Sequence, residues 1–167
     1  MATDLQSFAS EYQSHLSQRE AQGIPPLPLS AEEAAAVASA LQQKDLDPGV
    51  LAVHDQANTV ASLRYLISER VPPGVYPASK VKAEFLADLA LGRASSPHLE
   101  KTETLEMLAR AFEDLGQTAK TVSVLKEVAS IHGENGQTER QQDVWQRILR
   151  LSPGDHDALK ALDQIHD

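Results

Sequence analysis

"ERVPPGVYPASKVKAEFLADLALG", residues 69–92, sets two adjacent prolines and a glycine between two stretches of helical periodicity. Upstream, Val60, Leu63, Leu66 and Ile67 recur at spacings of three and four and stop at Arg70. Downstream, Val75 and Tyr76 lead through Pro77 into Val81, Phe85, Leu86 and Leu89, and Gly92 closes the pattern. Pro72 drives Val71 out of the helical region, and Pro73 does the same to Pro72. Gly74 supplies the freedom for a sharp turn. The stretch reads as helix, elbow, helix, which points to a protein of helices packed around corners.

The same pattern holds on both sides. Leu5, Phe8, Tyr12, His15 and Leu16 share a face of a first helix, with Thr3 as its expected N-cap and Gly23 just past its end. The following IPPLPLS (24–30) cannot be helical, because Pro25, Pro26 and Pro28 remove donors and hold an extended strut. Ser30-Ala31-Glu32-Glu33 is a capping box, and it opens a helix whose buried stripe is Ala36, Val37, Ala40 and Leu41. Residues 41–60 are the least regular stretch, in which Asp47-Pro48 reads as a cap and first turn.

Four more helices are expected after the elbow helix, over Glu100–Leu115, Thr118–His132, Thr138–Leu151 and from Asp155 onward. Their inward residues are Leu105, Leu108, Ala109, Phe112 and Leu115; then Val122, Leu125, Val128 and Ile131; then Val144, Trp145, Ile148 and Leu151. Trp145 reads as core packing, for which removal costs about 3–5 kcal/mol. No segment alternates like a strand. The fold class is therefore all-α, an α-solenoid of helix hairpins in which each unit buries its face on its neighbours.

Composition narrows the chemistry. The 167 residues include no cysteine, which excludes disulfides, cysteine-held zinc, iron–sulfur clusters on cysteine and thiol nucleophiles. The net charge of −9 is spread over both halves and argues against non-specific nucleic-acid binding, which depends on Lys and Arg neutralising phosphates. An RNA reading would need Arg64, Arg70, Lys80 and Lys82 to form one basic patch. No window is long and apolar enough for a transmembrane helix, and the polar N-terminus has no signal-peptide pattern, so a cytoplasmic protein without membrane contact is expected. His15, His54, His98, His132, His156 and His166 show no i, i+4 pair, and no metal site is expected. Asp45, Asp47 and Asp55 carry no sign of the split environments that acid–base catalysis needs. Phosphate loops, nucleophile elbows and zinc-protease motifs are absent as well. No catalytic residue, no cofactor and no enzymatic activity are expected.

Two resemblances organise these elements. "GQTERQQDVWQRILRLSPGD" (136–155) resembles the second half of a tetratricopeptide repeat, with Gln141 where the repeat usually has alanine. "EYQSHLSQREAQGIPPLPLSAEE" and "LISERVPPGVYPASKVKAEFLADLALGRASSPHLEKTETLEML" resemble the N-terminal HEAT-like domain of bacterial aconitase B. The likeness runs through Tyr12, His15, Arg19, Gly23, Ile24, Pro26, Pro28 and Leu29, resumes at Arg70–Val75, and continues through Lys82, Phe85, Gly92, Ser96, Pro97 and Leu99. It covers residues 11 to about 108 apart from a divergent patch around Gln42 to Val60, and beyond that range repeat-like helices replace the family's glycine-rich continuation. It implies two regions, a HEAT-like module over 1–97 and a tetratricopeptide-like segment over 98–167 packed on it as one continuous solenoid. It also implies the family's accessory module without its cysteine-held cluster, a module associated there with subunit association and protein contacts beside the active-site entrance. Iron-dependent dimerisation and messenger-RNA control are ascribed to that part of the family and do not carry over residue by residue.

The expected function is a protein–protein interaction module or scaffold without catalysis, whose partner is another protein or a second copy of the chain. The alternative is a regulatory or assembly subunit of an aconitase-like hydratase that responds to iron or a metabolite. The candidate binding residues are Arg70, Pro72, Pro73, Gly74 and Lys82. The elbow can offer a rigid loop with Arg70 as a hydrogen-bonding anchor, or it can be a plain corner in which Arg70 complements a helix C-terminus. The proline strut can likewise meet a proline-recognising domain or brace the fold from within.

Overall fold

The computed structural model describes residues 4–166, which contain eight α-helices and no strand. The protein is all-α, of the helical-repeat class, as its periodicity predicts. It divides into two compact units, Met1–Leu99 and Glu100–Asp167.

The first unit holds α1 (Leu5–Ala21), α2 (Ala31–Leu41), α3 (Thr59–Glu69) and α4 (Pro77–Ala90). Here α2 is the central helix, packing on α1, α3 and α4. Its capping box forms as the sequence predicts: Glu33 N–H donates to Ser30 Oγ at 3.1 Å, and Ser30 N–H donates to Glu33 Oε1 at 2.9 Å. Alanine at 34, 38 and 40 lets neighbouring helices approach, with Val37, Leu41, Leu63, Leu66, Ile67 and Leu86 filling the core. The expected N-cap Thr3 lies outside the described residues. Asp4 caps α1, its Oδ1 accepting from Gln6 N–H at 2.6 Å.

Between α2 and α3 the chain departs from expectation. Asp47-Pro48 opens a turn rather than a helix, because the Asp47 carboxylate closes back on Gly49 N–H at 2.9 Å. Two buried hydroxyls of α3 then substitute for regular structure. Thr59 Oγ1 donates to the Asp47 carbonyl at 2.6 Å and accepts from Leu51 N–H at 3.1 Å. Ser62 Oγ accepts from Val53 N–H at 3.1 Å and donates to the Leu51 carbonyl at 3.2 Å. With its polar groups so paired, a non-helical segment can bury Leu51 and Val53.

The second unit holds α5 (Lys101–Asp114), α6 (Thr118–Glu134), α7 (Thr138–Leu151) and α8 (His156–His166), each packed on the next. The turns after α5 and α6 are copies of each other. Gly116 and Gly136 have φ of 76° and 70°, and Gln117 N–H and Gln137 N–H each reach back to the carbonyls of Phe112 and His132 at 2.9 Å. This is the Schellman cap, which needs a left-handed residue and therefore favours glycine. The Gly-Gln-Thr triplets at 116–118 and 136–138 mark it in the sequence.

One core cluster of this unit is Ala109, Val122, Leu125, Ile148 and Ala158, with Trp145, Val144 and Leu151 partly buried against it. Trp145 is half-buried, which corrects its expected place in the core; Ile148, one turn on, is fully enclosed. Phe112, Leu115 and Ile131 are half-buried as well. Gln141, bulkier than the alanine usual in the repeat, is accommodated by Gly133 of α6: a Cβ there would stand 2.5 Å from Gln141 Nε2.

Candidate functional site

The proline strut and the elbow, far apart in sequence, meet through one residue. Arg70 is the C-cap of α3. Its guanidinium Nη2 donates to the carbonyls of Pro26 at 3.0 Å and Leu27 at 3.2 Å, while its own carbonyl accepts from Leu29 N–H at 2.9 Å. The two hydrogens of this one nitrogen serve both carbonyls. The strut has three N–H groups between Ile24 and Leu29, and all are paired: Ile24 to the Arg19 carbonyl at 3.1 Å, Leu27 to His15 Nε2 at 3.0 Å and Leu29 to Arg70. An extended segment rich in proline is thereby fixed along its whole length.

On the elbow side, Val71 is buried and Ser79 Oγ donates to the Pro72 carbonyl. Pro73 is exposed, and Gly74 takes φ of 112°, a conformation that L side chains rarely adopt. Pro77 occupies the first turn of α4, where its missing N–H costs nothing. Lys82 is turned inward at 5% exposure, with Nζ donating to the Ser68 carbonyl at 3.2 Å near the end of α3. The structure therefore brings Arg70, Pro72, Pro73 and Gly74 together at one corner and directs Lys82 into the α3–α4 packing. Arg64 and Lys80 are exposed, but with Lys82 buried the four cations do not make one exposed basic face.

The clamped segments leave large apolar side chains in solvent. Ile24 and Leu27 of the strut are 40% and 55% exposed, and Val75 and Tyr76 of the elbow 69% and 58%. Such residues in a rigid frame are what a docking surface offers, because little conformational entropy remains to be lost on contact.

Behind the strut lies a cluster that periodicity did not reveal. Tyr12, 1% exposed, shares a hydrogen bond of 2.5 Å with His54 Nε2. The ring of His54 stands 5.7 Å from that of Tyr12 and stacks on Tyr65 at 5.2 Å. Phe8 and His15 also stand beside Tyr12, at 5.7 and 6.3 Å. His54 and Asp55 have φ of 53° and 64°, left-handed values that are uncommon outside glycine. Burial pushes the Tyr12 hydroxyl above its ordinary pKa of 10.0, with Arg70 opposing through hydrogen bonding and charge. Burial holds His54 below its ordinary 6.5, assisted by the Arg70 charge and opposed by Asp55. In the sequence Tyr12 and His15 show as part of one face of α1, whereas His54 lies in the irregular 41–60 stretch and carries no periodic signal.

Among the described residues no three His, Cys, Asp or Glu converge as a metal site, and no helix is long and apolar enough to cross a membrane.

Comparison with known proteins places this architecture. Aconitate hydratase B of Escherichia coli (strain K12) is 39% identical over 98 residues, covering 59% of this chain and 10% of that protein. Aconitate hydratase B of Helicobacter pylori (strain J99) is 35% identical over 104 residues, 62% of this chain and 11% of its own length. The Synechocystis sp. (strain PCC 6803) protein of the same name is 25% identical over 158 residues, 80% of this chain and 17% of its own length. The chain thus spans about a tenth of the length of the first two relatives. These relatives are named as enzymes, which overturns the expectation of no enzyme. The match covers about a tenth of those enzymes, and the groups that make them enzymes need not lie within it. The family likeness also runs further than residue 108. The model of the aconitate B N-terminal domain matches residues 11–132, through α5 and into α6, so the helices after Leu108 begin as part of the family's pattern rather than as its replacement. With strut, elbow and α2 to α5 wholly within that span, and most of α1 and α6 as well, the chain belongs to the aconitate B N-terminal domain family.

Proposed function

We propose that the chain is a protein-docking module that works with an aconitate-hydratase-type enzyme and presents the strut–elbow surface to it. The observation that carries this reading is the set of four exposed apolar side chains, Ile24, Leu27, Val75 and Tyr76, on two segments locked together by Arg70. The names of the relatives supply the class of partner. The repeated Schellman turns support reading Glu100–Asp167 as tetratricopeptide-like hairpins, a type of unit that commonly receives other proteins.

Size-exclusion chromatography with light scattering tests the reading. The purified chain, mixed with the aconitate hydratase of its own cell, should co-elute with it in fixed stoichiometry, and Leu27→Asp with Tyr76→Asp should abolish co-elution while helicity is kept. Separate elution of the wild-type chain would refute it. Repeating the run with Fe(II) under anaerobic conditions tests the assembly-subunit alternative, which requires the mass to change with iron.

A further inference from the structure

Two histidines flank Tyr12, and each holds a different non-helical segment to the body of the first unit. His15 Nε2 accepts from the Leu27 amide at 3.0 Å. A backbone N–H can only donate, so this nitrogen carries no hydrogen. His54 Nε2 meets the Tyr12 hydroxyl at 2.5 Å. The Arg70 charge beside both groups disfavours a proton on His54, and with the imidazole hydrogen on Nδ1 the Tyr12 hydroxyl donates to His54 Nε2. In that tautomer both imidazoles act as acceptors, and both bonds require the neutral ring.

We propose that His15 and His54 form a proton-sensitive latch about Tyr12: neutral, they pin the proline strut and the 51–58 loop, and protonated, they release them. On protonation His15 loses its bond to the strut outright. His54 becomes a second cation beside Arg70, in a ring stack with Tyr65 and Tyr12. The released backbone has a source of strain to relax, since His54 and Asp55 sit in left-handed conformations. The charged or titratable groups facing the cluster are His15 and Tyr12 from α1, Glu33 from α2, Tyr65 from α3, Arg70 at its C-cap and Asp55 in the loop. Arg70 opposes a proton on His54, and Asp55 favours one. Burial adds to the opposition, so release of the loop is set below the ordinary range of histidine. Because the strut carries Ile24 and Leu27, the latch governs the docking surface, and this part of the inference rests on the proposed function.

Amide hydrogen exchange on the full chain between pH 7.5 and 5 tests it, with each rate corrected for the intrinsic pH dependence of exchange. Protection of the Leu27 amide should fall with pH by up to about tenfold per unit, the limit for one coupled proton. In the double variant His15→Gln, His54→Asn it should stay flat. Asparagine keeps an acceptor and tolerates the left-handed backbone at 54. An equal fall in the double variant, or no fall in the wild type, overturns the latch. Should the double variant fail to fold, the single variant His15→Gln serves instead: its Leu27 protection must stay flat with pH, and a fall equal to that of the wild type overturns the proposal. Binding of the aconitate hydratase is measured alongside at pH 7.5 and 5.5. No binding at either pH with a responsive Leu27 removes the docking reading and leaves the latch. Binding at pH 7.5 with an unresponsive Leu27 does the reverse.

Discussion

Arg70 concentrates more structural work than any residue its neighbours in sequence would suggest. It ends α3, closes the strut and biases the ionisation of Tyr12 and His54. Arg70→Ala should cost about 1–3 kcal/mol in urea unfolding, because two strut carbonyls lose a charged donor. Arg70→Lys should recover less than half of that, since an ammonium on a flexible stem does not hold two hydrogens in the fixed plane that the guanidinium offers. The same unfolding assay ranks the second unit. Ile148→Ala should cost about 2–5 kcal/mol, the range for a fully enclosed aliphatic. Trp145→Ala should cost about 1–2 kcal/mol, because its indole packs at the edge of the cluster. Periodicity placed both residues on one inward face but could not rank them, since helical spacing fixes direction and says nothing about what stands opposite.

Among elements, those that a local rule defines were legible and those closed by distant partners were not. The capping box at Ser30, the glycine stops and the elbow follow from backbone sterics over a few residues. The 47–58 segment depends on Thr59 and Ser62, whose hydroxyls look like ordinary helix positions until the loop is seen resting on them. The start of α8 is an intermediate case. Asp155 Oδ1 accepts from Ala158 N–H at 3.0 Å, and Asp155 also pairs with Lys126 of α6 at 3.0 Å. The backbone hydrogen bond from Ala158 is the main cause that holds its carboxyl below the ordinary 3.8, with Lys126 adding to it against the cost of desolvation. Asp155→Ala should cost about 0.5–2 kcal/mol. Asp155→Asn should retain most of the cap and lose the ion pair. Because the folded carboxyl is the stronger acid, its contribution is complete above pH 3.8 and is lost as pH falls below that value; a thermal-melt series over pH 5 to 2.5 should show the loss in the wild type and not in Asp155→Asn.

At the scale of the molecule the acid response should come in two steps. His54 is the weaker base when folded, so the stability it confers is complete above pH 6.5 and drains as pH falls through its lowered value. The carboxylates follow at lower pH. Melting temperature against pH should therefore decline in two stages, and His54→Asn should reduce the first. What the sequence by itself determined is the all-α class, the order and ends of the helices and the family, since helical period, caps and proline or glycine stops act between residues a few positions apart. The tertiary structure alone decided that Arg70 joins strut to elbow, that Lys82 points inward, that Trp145 lies at an edge and that Tyr12 sits between two histidines. Those facts depend on side chains from different helices meeting in space, and a short-range pattern holds no record of which distant residue will stand opposite.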